Sequence, residues 1–137
     1  MKLPRTPSQT VGPFYEIGLC RRPENELVPD GVLLVGRLLD GQDEPVSDGV
    51  IEVWDAEASR WGRCGTDADG RFSFVIATDT PHLEAYVFAR GLLKHQLTRI
   101  HFSAANVDPT LIAEQEDGAY RFDIRLQGER QTVFFAV

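Results

Sequence analysis

Apolar and polar positions alternate in short runs along most of this chain. Tyr120, Phe122, Ile124 and Leu126 are interleaved with Arg121, Asp123 and Arg125, the two-residue period of a strand with one buried and one wet face. Phe72, Phe74 and Ile76 repeat the pattern after the Asp69-Gly70 turn. Val50, Glu52 and Trp54 share a face opposite Ile51 and Val53 after Asp48-Gly49. Further strands are predicted at Val32 to Leu39, ending at Asp40-Gly41, and at Ala85 to Phe88, Leu97 to Phe102 and Thr132 to Phe135. Asp108 to Glu114 alone carries a helical signature, with Asp108 as N-cap and Pro109 at the first helical position, and it spans barely two turns. About seven to eight short strands with at most one short helix predict an all-β fold, an antiparallel β-sandwich whose two sheets bury their apolar faces together.

A chain of 137 residues with 42% hydrophobic content suits one compact domain over residues 1–137. Residues 1–16 read as an N-terminal arm, and Cys20 to Asp30 as irregular surface. No internal repeat or low-complexity tract interrupts this plan. The formal charge of -7 argues against a nucleic-acid partner, which needs clustered Lys and Arg. Met1-Lys2-Leu3-Pro4-Arg5 has no apolar run behind its charges, and Val32 to Val35 is far too short to span a bilayer, so no membrane partner and a cytoplasmic location are expected. Cys20 and Cys64 lack the density of a disulfide scaffold and the spacing of a zinc knuckle, and are read as free thiols.

The most informative stretch is Thr6-Pro7-Ser8-Gln9-Thr10-Val11-Gly12-Pro13-Phe14-Tyr15. Pro7 and Pro13 fix their own φ and bias the preceding residues toward extended backbone, while Gly12 opens angles closed to other residues. The segment reads as a stiff arm with short polar groups, anchored by Phe14 and Tyr15. Local chemistry alone makes it a strap over a sheet edge.

The same ten residues resemble the segment that opens subunits of the intradiol ring-cleaving dioxygenases. Glu52-Val53-Trp54, Gly62-Arg63 leading to Asp67-Ala68-Asp69-Gly70, Phe88-Ala89-Arg90-Gly91, Thr98-Arg99-Ile100-His101-Phe102, Ala119 to Glu129 and Thr132-Val133-Phe134-Phe135 resemble stretches of that family in the same order. The resemblance implies a β-sandwich and oxidative ring cleavage of a catechol by O2 at a ferric ion held by two Tyr phenolates and two His imidazoles. The first family Tyr follows the Glu-x-Trp motif, where this chain runs from Asp55 through Trp61 without a Tyr. The second follows the next strand, where only Ala77-Thr78-Asp79-Thr80 precedes Pro81. The His-x-His pair matches His82-Leu83-Glu84, so one ligand of four survives.

That departure resembles the iron-free, alpha-type subunits of the family, which work beside an iron-bearing beta-type subunit. It implies Fe(III) in the beta-type partner, no catalytic residue and no metal in this chain, and a small aromatic substrate, protocatechuate. Carried over by position, Thr10, Gly12, Pro13, Phe14 and Arg90 would form substrate-binding surface. Gly12 would allow close backbone approach to a flat ring, Pro13 would stiffen the wall, and Phe14 stands where the family often has Tyr. Arg90 could form two parallel charge-assisted bonds with a substrate carboxylate. For a lone Arg, a surface ion pair at a strand end is the plainer role.

Independently of the resemblance, His82 and Glu84 fall on one strand face about 6.6 Å apart and could share a metal with a third ligand. His95 and His101, roughly 20 Å apart along a continuous strand, could not. The function that the resemblance implies is a non-iron-binding, alpha-type subunit supplying substrate-binding surface for ring cleavage to 3-carboxy-cis,cis-muconate at an alpha-beta interface, inactive alone. The alternative is a non-catalytic structural or binding sandwich of the same descent, since both ligand-bearing loops are nearly deleted.

Overall fold

The computed structural model describes residues 4–5, 15–20, 23–103 and 106–136. Among these residues a short helix α1 (Tyr15–Leu19) is followed by nine strands: β1 (Val32–Leu39), β2 (Val50–Asp55), β3 (Arg60–Gly65), β4 (Arg71–Ile76), β5 (His82–Phe88), β6 (Gln96–His101), β7 (Glu114–Glu116), β8 (Ala119–Arg121) and β9 (Ile124–Arg125). They form two sheets. One has the order β4-β1-β8-β7, with β9 also on β1; the other has the order β3-β2-β5-β6. The inward residues Leu34, Leu38, Phe74, Ile76 and Ile124 of the first meet Ile51, Val53, Leu83, Val87 and Ile100 of the second in one core, each essentially inaccessible to water. The all-β sandwich expected from the alternation is what the chain forms.

Several elements differ from the expectation. The first sheet is mixed, because β8 and β9 both run parallel to β1. The long strand expected over Tyr120 to Leu126 breaks into β8 and β9 at Phe122-Asp123. There the Asp123 carboxylate accepts the Arg37 backbone N–H at 3.0 Å, replacing a ladder bond, and the Phe122 carbonyl leans over Gly36. Thr132 to Phe135 forms no strand. The Thr132 hydroxyl accepts the Arg125 N–H at 2.8 Å, and only Phe135 makes an isolated bridge, to Leu97. The expected helix over Asp108 to Glu114 is a single 3-10 turn, Pro109–Leu111, with Asp108 capping it as the sequence indicated. The remainder of that stretch leads into β7, whose Glu-Gln-Glu is fully exposed and carries no apolar period.

Strand β3 and helix α1 were not expected. On β3 the inward position is Gly62, where a Cβ would come within 2.6 Å of Leu27 and 3.3 Å of Phe74. With glycine facing the core, the apolar half of the alternation is missing from the sequence. The β2-β3 hairpin turns through Ser59 at φ 54, with Trp54 and Trp61 stacked across it at 6.0 Å.

Candidate functional site

Three of the family-like motifs, those with Glu52, Arg63 and Phe88, meet at α1, the element that follows the arm. Glu52 on β2 accepts from Trp54 Nε1 at 2.8 Å on Oε1 and from Arg63 Nη2 and Nε at 2.6 and 3.0 Å on Oε2, so both its oxygens are engaged. Arg63 Nη1 then donates to the Leu19 carbonyl at 3.1 Å, tying the end of α1 to β3. At its other end Tyr15 packs on Phe88 with ring centroids 5.9 Å apart. Phe88 lies two residues before Arg90.

Arg90 follows the buried Ala89 at the exit of β5, where Gly91 at φ 83 turns the chain. Its Nη2 donates to Asp48 Oδ2 at 3.0 Å, with the side chain 57% exposed. Arg90 lines a cleft of about 450 Å³ with Pro45, Val46, Gly91, Leu92 and Gln127. The plainer role, a surface ion pair, is thus present, and the arginine borders a cavity as well. Asp48 holds a positive φ of 57 ahead of Gly49. Buried Thr66 fixes this turn, its hydroxyl accepting the Gly49 N–H at 2.9 Å and donating to the Val46 carbonyl at 2.7 Å.

Glu16 of α1 also reaches this point. Its carboxyl lies over Gly65, and burial first, then the neighbouring carboxylates Asp48 and Asp67, push its pKa up. Sequence reasoning missed Glu16 and Asp48 as site residues, because Asp48-Gly49 carries only a turn signal. Thr10, Gly12, Pro13 and Phe14 lie outside the described residues.

His82 and Glu84 do share the outer face of β5, as the two-residue spacing requires. The register sets His82 opposite His101, rings stacked at 5.3 Å, and Glu84 opposite Arg99, 4.0 Å between charged atoms. Burial, His82 and Arg99 all lower the His101 pKa. His95 instead packs against Tyr86 and Phe88. Among the described residues no three His, Cys, Asp or Glu side chains converge to hold a metal ion. The β2-β3 hairpin offers no phenolate, and Trp54 is the register partner of Glu84. This donor set does not fit the family's ferric ion. The thiols are poor nucleophiles: burial pushes Cys20 up to about 11 and raises Cys64 as well.

The sandwich has the fold of solved dioxygenase structures. The dioxygenase domain of a dioxygenase and carbohydrate-binding fusion from Streptomyces sp. SirexAA-E superposes with a TM-score of 0.60 and 21% identity, covering 90% of this chain and 98% of that one. This likeness shows a shared fold. The protocatechuate 3,4-dioxygenase alpha chain of Burkholderia cepacia is 34% identical over 194 aligned positions, covering 98% of both chains, and that of Pseudomonas putida is 32% identical, covering 97% and 96%. No family model matches. The chain belongs to the family of protocatechuate 3,4-dioxygenase alpha chains. An alignment of 194 positions against a chain of 137 means that these relatives carry inserted segments which this chain lacks. Among the described residues no helix is long and apolar enough to cross a membrane.

Proposed function

We propose that this chain is a non-iron-binding, alpha-type subunit that supplies substrate-binding surface for the intradiol cleavage of protocatechuate by O2 to 3-carboxy-cis,cis-muconate. The reaction would take place at an interface with a beta-type subunit. The observation that carries this reading is the near end-to-end likeness to two alpha chains of protocatechuate 3,4-dioxygenases. The donor set at His82 and Glu84 supports assigning Fe(III), which activates the catechol for attack by O2, to the beta-type partner. In this chain Arg90 would take the substrate carboxylate, orienting the ring and offsetting its charge. Support for that role comes from the cleft beside Arg90 and from Tyr15, which brings the root of the arm to the same corner. The arm residues Thr10, Gly12, Pro13 and Phe14 would form the wall against the ring face.

Replacing Arg90 with Ala tests this reading in the mixed complex. The KM for protocatechuate is expected to rise about 10- to 100-fold, the span of a charge-assisted pair worth about 1.5–3 kcal/mol, while that for plain catechol stays near the parent value. Equal effects on both substrates would refute the carboxylate role.

The shortened segments favour a second reading, a non-catalytic sandwich of the same descent. The β2-β3 connection is a tight hairpin through Ser59, with the Ala58 N–H bonded to Asp55 at 3.3 Å, and has no room for a ligand-bearing loop. Under this reading the chain would form no active complex with an iron-bearing subunit.

A further inference from the structure

We propose that Asp48 is the positioning residue for Arg90, fixing the guanidinium so that its free edge faces an incoming aromatic carboxylate. The inference rests on the reading that Arg90 takes the substrate carboxylate, and it assigns to Asp48 a part in that recognition.

Three features of the turn support it. The first is rigidity. Asp48 sits in left-handed backbone whose next residue, Gly49, is pinned by the buried Thr66 hydroxyl, and a Cβ on Gly49 would come within 2.7 Å of Leu38. The carboxylate therefore projects from a fixed point. The second is economy of contact. Asp48 takes Nη2 of Arg90, and a guanidinium has five N–H donors, so the opposite edge can still form a two-bond pair with a carboxylate. The third is the link to the arm. Glu16, on the helix that follows Thr10 to Phe14, lies over Gly65 and neighbours the same Asp48, so the root of the arm reaches the anchor.

Asp48 has two opposed effects on substrate binding. It restrains a long side chain that is 57% exposed, and it offsets part of the positive charge. At this exposure water and salt screen the second effect. The first removes rotamer freedom that substrate would otherwise have to remove on binding. Positioning therefore wins, and loss of Asp48 should weaken recognition of the carboxylate.

The test is Asp48→Asn in the complex with the iron-bearing partner. Asn adopts left-handed backbone readily, so the turn is kept while the charge is lost. The KM for protocatechuate should rise about 2- to 5-fold, the range partly exposed ion pairs command, with kcat and the KM for plain catechol unchanged. Asp48→Glu should recover part of the loss. If Arg90→Ala raises the protocatechuate KM selectively but Asp48→Asn leaves it unchanged or lowers it, Asp48 is no positioning residue, although the Arg90 reading stands. If Arg90→Ala affects both substrates alike, that reading itself fails. Should the variants not assemble, the Arg90 Nη2–H signal in low-temperature nuclear magnetic resonance of the lone chain decides, because Nη2 is the atom that Asp48 holds. It should be resolved and slowly exchanging in the parent and collapse to the bulk arginine position in Asp48→Asn; an unchanged signal would overturn the proposal.

Discussion

Thr66 shows how a single residue carries the candidate site. It is 1% exposed, and its hydroxyl both accepts from Gly49 and donates to Val46, so the turn bearing Asp48 is closed by one buried oxygen. Thr66→Val is close to isosteric but leaves a buried donor and a buried acceptor unpaired. It should cost about 1–3 kcal/mol in urea unfolding, and an unchanged midpoint would contradict the assignment. Arg90 was legible in the sequence only through its resemblance to the family. The residues that hold it were not, because Asp48, Thr66 and Glu16 meet through tertiary contacts among the β1-β2 turn, the β3-β4 turn and α1. The His82 and His101 pair was hidden for a similar reason: the two lie 19 positions apart and become neighbours only through the β5-β6 register.

At the level of elements, alternation identified the strands with apolar inward positions, such as β1, β4 and β5. It failed where the inward residue is glycine, as in β3, where both faces are wet, as in β7, or where a side chain replaces the ladder, as between β8 and β9. Gly36 marks that last junction, since a Cβ there would stand 1.9 Å from the Phe122 carbonyl oxygen. Gly36→Ala should destabilise the fold by about 1–3 kcal/mol or more, because backbone rather than a flexible side chain blocks it. Gly118→Ala, at φ 78 with open space around it, meets only the backbone penalty of about 1–2 kcal/mol. Equal losses would argue against the close approach of Phe122 to β1. The β5-β6 pair adds a pH signature. The folded state holds the His101 pKa below its ordinary 6.5, so it disfavours the proton relative to the unfolded chain. The resulting stability is present above pH 6.5 and is lost as pH falls from there through the lowered value. His101→Gln should flatten that part of the acid limb in thermal unfolding between pH 7.5 and 5.5, and an unchanged slope would remove His101 as its source.

At the scale of the whole molecule, two sheets share one core, and the β3-β2-β5-β6 sheet carries three of the family-like motifs beside α1. Glu52, Trp54 and Arg63 secure α1, Tyr15 rests on Phe88, and Arg90 opens onto a cleft next to them. The outer face of β5 carries His82, Glu84 and Tyr86, but Tyr86 packs on His95, and among the described residues no three metal-binding side chains converge. Under the proposed reading, this corner is the part of an active site that takes the substrate carboxylate, with the iron held by the partner subunit. The measurement that tests this most directly is iron content, visible absorption and protocatechuate-cleaving activity of the chain purified alone and after co-expression with a beta-type subunit. The account predicts a colourless, inactive lone chain that co-purifies with its partner as a coloured, iron-containing, active complex. A lone chain that binds iron and cleaves the ring, or a chain that forms no complex, would contradict it.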